Sequence, residues 1–207
     1  MKITMISDTH NNHRDLGTLK GDVLIHCGDM LKLFQDESNS LADIDDWFGE
    51  QQFDLILCIG GNHDHMLQDR ANKHVRPFKH AVYLQDEIYE HQGVVFYGAP
   101  WVPELEGHAF FQPDEVLKQK WAMIPQETDV LITHTPPLGI LDQSSRGMRF
   151  GCRDLLRELP RVSPKLHCFG HVHNSTGVLE QGETTYINAA SVNSQYSLVK
   201  DPLTFQI

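Results

Sequence analysis

The sequence predicts an α/β layered fold with mixed sheets, and two features of the chain lead to that prediction. Short apolar runs recur along the chain, and several of them, such as VLI and LILCI, are continuously apolar rather than alternating. Such runs are typical of buried strands that are covered on both faces. Between them lie segments whose apolar residues recur at helical spacing.

Each predicted element has its own local reason. The predicted strands are Lys2–Ser7, Asp22–Cys27, Asp54–Ile59, Val94–Gly98, Asp129–Thr133 and Lys165–Phe169. The predicted helices are Ser40–Gln51, Pro113–Met123 and Gly151–Leu159. Proline is favoured at a helix start, as at Pro113, and we expect Pro160 to end the third helix. After Ser175, short β-rich pieces (GVLE, TTYIN, YSLVK and LTFQI) predict antiparallel strands that complete a sheet.

Length and composition limit the range of functions. The chain has 207 residues without a repeat or a flexible linker, so we expect one domain over residues 1–207. The formal net charge of −11 argues against a binder of long nucleic acid or of an anionic membrane, either of which needs a basic face. No apolar stretch approaches the length of a membrane span. The 13 histidines favour metal ligation or proton transfer.

The cysteines and the N-terminus indicate the compartment. Cys27, Cys58, Cys152 and Cys168 form no C-x-x-C pair, and three of them lie in strand-like runs. The first apolar run is too short for a secretion signal, because Asp8 follows it at once. We therefore expect reduced cysteines and a cytoplasmic protein.

Five of the predicted strands are followed at once by residues that can bind a metal. In α/β sheets, ligands bind at the carboxyl ends of the strands. Seven residues in these positions could bind a metal, which is too many for one ion and suits two. Asp29 is the natural candidate for a carboxylate that bridges the two ions. In extended backbone, the D-x-H and H-x-H spacings would point both side chains to one side. The candidate ligands are Asp8, His10, Asp29, Asn62, His134, His171 and His173.

The remaining histidines and the glycines have simpler interpretations, with one exception. His63 lies between Asn62 and Asp64 and could donate a proton to a leaving oxygen, while Asp64 could orient the His63 ring or cap the next helix. The glycines that precede candidate ligands could serve turns, close approach to a ligand, or both. We interpret His26 and His167 as core or supporting residues. The histidines expected at the surface are His13, His65, His74, His80, His91 and His108.

Taken in order, these segments resemble the calcineurin-like metallophosphoesterase superfamily. The matching motifs are D-T-H at Asp8–His10, G-D at Gly28–Asp29, G-N-H-D at Gly61–Asp64, His134 after a strand, and G-H-V-H at Gly170–His173. Further matches, including YGAPW, ITHTPPLGILD, GCRDLL and YINAASVNSQY, make the chain similar to the small metallophosphoesterase-domain-containing proteins, which suggests phosphodiester hydrolysis. The resemblance implies a four-layer α/β/β/α sandwich of two mixed sheets flanked by helices, with a dinuclear metal centre between the sheet ends.

The resemblance also implies a role for each matching residue. One metal would bind Asp8, His10, Asp29 and His173, and the other would bind Asp29, Asn62, His134 and His171. The nucleophile would be a hydroxide that bridges the metals, with His63 as the proton donor. The imidazole-rich ligand set favours Mn, Fe, Ni or Zn, and Mn²⁺ is our choice for assays in vitro.

The substrate is open at this point. The leading hypothesis is an enzyme that hydrolyses small phosphodiesters, possible examples being cyclic nucleotides; the alternatives are a phosphomonoesterase on the same centre and a non-catalytic metal-binding adaptor. The segment GDMLKLF lacks the D-x-x-D-R-G continuation of Ser/Thr protein phosphatases, which disfavours a phosphoprotein substrate. No substrate-binding residue is assigned, and the oligomeric state is open. The side chains weighed as substrate contacts are Asn11, Asn12, His13, Trp101, Arg146, Arg149 and Arg153.

Overall fold

Two mixed β-sheets pack against each other between helices in the computed structural model, which describes residues 1–33, 40–72 and 75–207. The first sheet has the strand order β11-β1-β2-β3-β4. Its strands are β1 (Lys2–Ile6), β2 (Lys20–His26), β3 (Gln52–Cys58), β4 (Val82–Tyr83) and β11 (Leu203–Gln206). Neighbours from β1 to β4 run parallel, and β11 pairs antiparallel with β1.

The second sheet has the strand order β5-β6-β7-β8-β10-β9. Its strands are β5 (Glu87–His91), β6 (Val94–Ala99), β7 (Val130–Thr133), β8 (Leu166–Phe169), β9 (Gly177–Gln181) and β10 (Thr184–Asn188). The central pairs are parallel, whereas the edge pairs β5-β6 and β9-β10 are antiparallel hairpins. The predicted fold class of two mixed sheets flanked by helices is confirmed.

Four α-helices are described: α1 (Ser40–Glu50), α2 (His65–Asn72), α3 (Asp114–Ala122) and α4 (Arg153–Val162). Pro113 directly precedes α3, as its fixed φ favours. The prediction that Pro160 ends the third helix was wrong, because α4 continues to Val162. Pro160 lies in the last turn, and the burial of Leu159 and Val162 favours helix there over an earlier end. Helix α2 escaped prediction because its polar sequence shows no apolar periodicity.

The segment after Ser175 contributes strands to both sheets, although it was predicted to complete one sheet. Strands β9 and β10 form the predicted antiparallel hairpin, but β10 pairs in parallel with β8. The predicted strand YSLVK is absent from this described part of the chain, where only an isolated bridge joins Val192 and Leu198. The last strand, β11, crosses to the first sheet and pairs with β1.

The interface between the sheets is apolar. Alternate residues of the central strands, such as Ile25, Leu57 and Ile132, form one buried cluster there. Their opposite faces pack under the helices in a second cluster that contains Trp47 and Trp121. All four cysteines are buried and free, as expected. Within the described parts of the chain, no helix combines the length and the apolar character that crossing a membrane requires.

Candidate metal centre

The carboxyl ends of β1, β2 and β3 meet those of β7 and β8 at one end of the sandwich. The two sheets are joined there by an isolated bridge between Ser7 and Ala190 and by a 2.9 Å hydrogen bond from His134 Nδ1 to the Cys27 carbonyl. All seven candidate ligands follow these strands, and the distances below connect them into one cluster. The structure therefore brings together every residue that the sequence proposed as a ligand.

The first group of candidate ligands is Asp8, His10 and His173, whose ligand atoms lie within 4.8 Å of one another. The His173 Nε2 atom lies 3.3 Å from Asp8 Oδ1. Asp8 also accepts hydrogen bonds from the backbone N–H of His171, at 3.0 Å and 3.1 Å to its two oxygens. The chain thus holds the Asp8 carboxylate in one orientation, with His173 beside it.

Asp29 lies between this group and the next, where a bridging ligand belongs. Its Oδ2 atom is 3.8 Å from His10 Nε2, and its Oδ1 atom is 3.5 Å from His134 Nε2. The backbone N–H of His63 donates to Asp29 Oδ1 at 2.8 Å and fixes the carboxylate. Asp29 thus contacts His10 on one side and His134 on the other, and its role as a bridging ligand stays a prediction.

The second group is formed by Asn62, His134 and His171. The Asn62 Oδ1 atom lies 3.0 Å from His134 Nε2 and 2.9 Å from His171 Nδ1. These three atoms converge on the side of Asp29 that faces His134. An amide oxygen, two imidazole nitrogens and a carboxylate oxygen are suitable donors for a first-row transition metal.

Three imidazoles have one ring nitrogen engaged by a backbone carbonyl. The Nδ1 atoms of His10, His134 and His173 lie 2.9, 2.9 and 3.2 Å from the carbonyls of Leu31, Cys27 and Asn193, respectively. A carbonyl only accepts, so each Nδ1 carries a proton and each Nε2 is left to bind either a metal ion or a second proton. Metal-binding histidines are commonly fixed by such hydrogen bonds.

The candidate ligands fit a bound cation. The Nε2 atoms of the three imidazoles face either other hydrogen-bond acceptors or, within the described part of the chain, no partner at all. His10 Nε2 is fully buried without a hydrogen-bond partner among the described residues. His134 Nε2 faces the Asn62 and Asp29 oxygens, and His173 Nε2 faces Asp8. Acceptors that face each other need a proton or a metal ion between them, because buried unpaired groups are costly.

The carboxylates supply the matching charge. Burial pushes the pKa of Asp29 upward, but the nearby imidazoles, His134 first, outweigh it and hold the pKa well below its usual value. Burial lowers the pKa of His134, but the negative charge of Asp29 and the hydrogen bond between the two side chains raise it to about 9. The centre thus favours positive charge at the position of His134 Nε2, and a metal ion that binds there would release that proton.

The local geometry that creates this convergence differs from the predicted extended backbone. Asp8, His10, Asp29 and His171 all have positive φ, at 54°, 43°, 54° and 69°. These residues follow the strands in tight left-handed turns, and His173 begins a short 3₁₀ helix. Non-glycine residues at positive φ are uncommon and cluster at functional sites. The spacing argument was therefore wrong in its geometry, although the residues do meet.

Two glycines permit the ligand loops to approach each other. A Cβ atom at Gly170 would collide with Ser7 Oγ and Asp8 Oδ2, and one at Gly61 would collide with Asp29 Oδ1. Neither glycine has a positive φ. The close-approach interpretation therefore applies at Gly61 and Gly170, whereas Gly28, at φ 96°, serves both the turn and the approach to His134.

His63 lies beside the first group of ligands. Its ring centroid is 4.7 Å from that of His10, and its Nε2 atom is 3.8 Å from Asp29 Oδ2. Burial lowers the pKa of His63 to about 4 against the attraction of Asp29. The Nδ1 atom is buried without a partner among the described residues. The ligand atoms of His63, His10 and Asp29 lie within 4.8 Å of one another, so His63 also borders the candidate metal positions.

Asp64 neither holds the His63 ring nor caps α2 through its side chain. Its buried carboxylate accepts backbone N–H groups of Gly61 at 2.9 Å, Leu31 at 2.9 Å and Met30 at 3.3 Å. The suggestion that Asp64 orients His63 was wrong. The carboxylate instead ties the loop after β2 to the loop after β3, and so holds Asp29 and Asn62 in register.

Among the described histidines that were expected at the surface, His80 is exposed, whereas His65, His91 and His108 are half-buried and His13 is buried. His13 is buried, and its Nε2 atom is 3.0 Å from Asp43 Oδ2. His108 is half-buried, with its ring centroid 6.2 Å from that of His63. His26 and His167 are buried, as predicted, with Nε2 atoms 2.9 Å from Thr9 Oγ1 and Thr133 Oγ1, respectively. His74 lies outside the described residues.

Several side chains that were weighed as substrate contacts have structural partners. Arg149 pairs with the buried Asp142 at 2.6 Å. Trp101 is buried, with Nε1 donating to Asp86 at 2.7 Å. The Asn11 side chain accepts from the Lys32 N–H, and Asn12 donates to the carbonyls of Thr9, His10 and Tyr196. Asn11 and Asn12 therefore support the loops after β1 and β2.

Of the side chains that form the open cleft over the centre, His63 was predicted from the sequence, whereas Lys32, Leu33 and Tyr196 were not. A cleft of about 430 Å³ is lined by Lys32, Leu33, His63 and Tyr196. The Tyr196 ring centroid lies 4.7 Å from that of His10, although the two residues are far apart in sequence. No local pattern marks Tyr196. The one available signal was its place at the end of the YINAASVNSQY segment, which indicated a family resemblance without a role for Tyr196.

The chain is similar to known proteins along its whole length. The family model described as calcineurin-like phosphoesterase matches residues 1–175. A UPF0046 protein, K07C11.7 of Caenorhabditis elegans, is 36% identical over the whole chain, which spans 75% of that relative. Human metallophosphoesterase domain-containing protein 1 is 34% identical over the whole chain, which spans 71% of that relative.

Solved structures show the same fold at low sequence identity. TT1561 of Thermus thermophilus has a TM-score of 0.56 at 14% identity, over 90% of this chain and 88% of that one. GAP50 of Plasmodium, described as the anchor in the inner membrane complex, has a TM-score of 0.56 at 10% identity, over 92% of this chain and 71% of that one. The family match and the full-length relatives show that the chain belongs to the calcineurin-like phosphoesterase family.

Proposed function

We propose that this calcineurin-like phosphoesterase is a metal-dependent hydrolase of small phosphodiesters and uses two divalent metal ions. The observation that carries the proposal is the arrangement of lone pairs. The Nε2 atoms of His10, His134 and His173 point toward two carboxylates and an amide oxygen, with their Nδ1 protons donated elsewhere. This arrangement favours cations, and Asp29 lies between the two groups.

Two ions explain the donor set better than one. Asp8, His10 and His173 would hold one ion, while Asn62, His134 and His171 would hold the other, with Asp29 shared between them. When bound, the metals would supply Lewis acidity for the phosphoryl oxygens and an activated water as nucleophile. The positive charge would also allow a protein with a net charge of −11 to bind a phosphate ester.

The residues of this chain provide orientation and proton transfer. Backbone carbonyls fix the imidazoles, and Asp64 fixes the two loops that carry Asp29 and Asn62. His63 lines the cleft and lies 3.8 Å from Asp29, where its imidazole would meet the leaving oxygen of a bound ester. We assign proton donation to that oxygen to His63, and we propose that the negative charge of the ester beside it would raise its lowered pKa.

The acidic surface supports a small substrate in preference to long nucleic acid, which needs a basic track. We propose manganese because of the chemistry of the donor atoms. We propose a cytoplasmic location because the cysteines are free. The preference for diesters rests on the family resemblance. Cyclic nucleotides are among the diesters to be tested.

The first experiment compares two model substrates on the Mn²⁺-loaded protein. We expect faster turnover of bis(p-nitrophenyl) phosphate than of p-nitrophenyl phosphate. Faster turnover of the monoester would make the protein a phosphomonoesterase on the same centre. Absence of turnover with both substrates, while calorimetry shows two bound metals, would favour the adaptor over the hydrolase.

His63→Ala tests the proton donor. We expect metal binding to persist and turnover to fall by about 10²- to 10⁴-fold, since general acid catalysis contributes about that factor. His80→Ala is a matched control, because it removes an exposed imidazole that contacts Asp45 in α1. Unchanged turnover in a metal-replete His63→Ala protein would exclude the assigned role.

A further inference from the structure

We propose that Tyr196 is the aromatic wall of the substrate cleft and that the enzyme selects phosphate esters whose organic group is a planar aromatic ring, as in a nucleoside. This inference rests on the proposed function and adds the chemical class of the group that the cleft accepts. It also assigns a substrate-positioning residue to a segment remote from the metal-binding motifs.

The position of the Tyr196 ring is the first observation. Its centroid lies 4.7 Å from the ring of His10, 5.6 Å from that of His173 and 6.0 Å from that of His63. The ring thus borders both the first group of candidate ligands and the proposed proton donor. At 41% exposure, it is packed on one side and open to the cleft on the other.

The backbone of Tyr196 is the second observation. Tyr196 has a φ of 60°, a left-handed conformation that is costly for a bulky residue. The Asn193 side chain imposes this turn, because its Oδ1 atom accepts the N–H groups of Gln195 at 2.9 Å and Ser197 at 3.1 Å. Asn12 Nδ2 also donates to the Tyr196 carbonyl at 3.2 Å. A conformation this costly, fixed from two sides, is typical of a functional position.

The same turn is connected to the metal centre. The Asn193 carbonyl that accepts the Tyr196 N–H at 3.0 Å also accepts from His173 Nδ1 at 3.2 Å. One backbone oxygen therefore orients a candidate metal ligand and the aromatic wall together. This connection fixes the Tyr196 backbone relative to His173, which would hold the ring at a set distance from an ester bound at the centre.

The other lining residues define what the cleft accepts. Leu33 adds apolar surface, and Lys32 adds a cation near the mouth, with its backbone N–H fixed by Asn11 Oδ1 at 2.7 Å. Apolar and aromatic walls with a few polar groups are typical of small-molecule sites. A planar ring stacked on Tyr196 would place the attached phosphate over the metal ligands and beside His63.

The alternative is that Tyr196 only shields the centre from water. The two roles differ in ligand selectivity, because stacking of a base on an aromatic side chain changes binding by about 5- to 150-fold. A shielding ring would affect aryl and alkyl ligands equally. Selectivity is therefore the property to measure.

The test measures binding of phenylphosphonate and methylphosphonate to the Mn²⁺-loaded protein by calorimetry. We expect the wild type to prefer the phenyl ligand by roughly tenfold, within the stacking range above. Tyr196→Phe should keep this preference. Tyr196→Leu, which retains bulk without an aromatic face, should lose most of it, and so should Tyr196→Ala. Phe150→Ala removes another partly exposed ring and serves as the control.

The outcomes separate this inference from the proposed function. Equal binding of the two phosphonates by the wild type, or an unchanged phenyl preference in Tyr196→Leu and Tyr196→Ala, would overturn the aromatic wall while hydrolysis of bis(p-nitrophenyl) phosphate continues. Failure of both phosphonates to bind a protein that holds two metals and hydrolyses no ester would overturn the proposed function, and the inference with it.

Discussion

Replacement of Gly170 by alanine tests whether close approach of the ligand loops creates the metal centre. Gly170 follows β8 and directly precedes His171. Its added Cβ would collide with Ser7 Oγ and Asp8 Oδ2, and it would lie 2.6 Å from Ser7 Cβ. Real Cβ atoms do not approach other atoms so closely, so either β1 or the loop after β8 must move. Either shift separates Asp8 from His173, which lie 3.3 Å apart.

The expected magnitude follows from these contacts. Ser7 and Asp8 are both fully buried, so neither side chain can rotate into solvent to relieve the collision. Overpacking of a dense site costs about 1–3 kcal/mol of unfolding free energy. For a chain of this size, that lowers the melting temperature by roughly 2–12 °C. Because the displaced groups orient candidate ligands, metal affinity should fall by about 10- to 100-fold.

Calorimetric titration with Mn²⁺ and thermal unfolding measure the two effects on the same preparations. Gly93→Ala is the matched control: Gly93 has φ 77° and no neighbour within 4 Å of an added Cβ. We expect Gly93→Ala to cost about 1–2 kcal/mol through backbone strain and to leave metal binding unchanged. Wild-type Mn²⁺ affinity in Gly170→Ala would refute the argument that this glycine permits assembly of the centre.

Two further predictions concern groups that support the site. Asp64→Asn should cost about 2–5 kcal/mol of unfolding free energy, because the amide NH₂ would face buried N–H donors. The substitution should also weaken Mn²⁺ binding. Equal denaturant midpoints and equal Mn²⁺ affinities for the variant and the wild type would contradict this prediction. Burial lowers the pKa values of His26 and His167 to about 3, so below pH 6.5 the unfolded chain binds more protons and stability falls as the pH decreases. Each histidine should remove about 2 kcal/mol between pH 7 and pH 5. Urea unfolding of the metal-free protein measures the stability that is lost between pH 7 and pH 5. His167→Gln should lose about 2 kcal/mol less than the wild type. An identical pH dependence in the two proteins would contradict the lowered pKa of His167.

Much of the candidate site could be predicted because its ligands are local to strand ends. Continuous apolar runs such as that of β3 mark buried strands, and a polar residue directly after such a run must lie at the sheet edge. Asp29, Asn62 and His134 were found in this way. Local sequence located the central strands to within about two residues, but α2, β4 and β5 were not among the predicted elements. At Pro160, the burial of Leu159 and Val162 overrode the proline.

Other features depended on contacts between distant segments. Asp64 has the sequence position of a helix cap, yet its carboxylate binds backbone groups of the loop after β2. His13 belongs to a polar segment, yet it is buried beneath α1. The parallel pairing of β10 with β8 was also not predicted, because the second neighbour of a strand is set by the packing of segments that are distant in sequence.

By itself, the sequence determined which chemical groups this protein gathers: carboxylates, imidazoles and an amide after buried strands, in an order that resembles one family. Only the tertiary structure decided how they meet, through left-handed turns in place of extended backbone, and what surrounds them. The Tyr196 ring reaches His10 because the C-terminal segment returns across the carboxyl ends of both sheets. Such proximity is set by the packing of remote segments, and no local pattern in the chain encodes it.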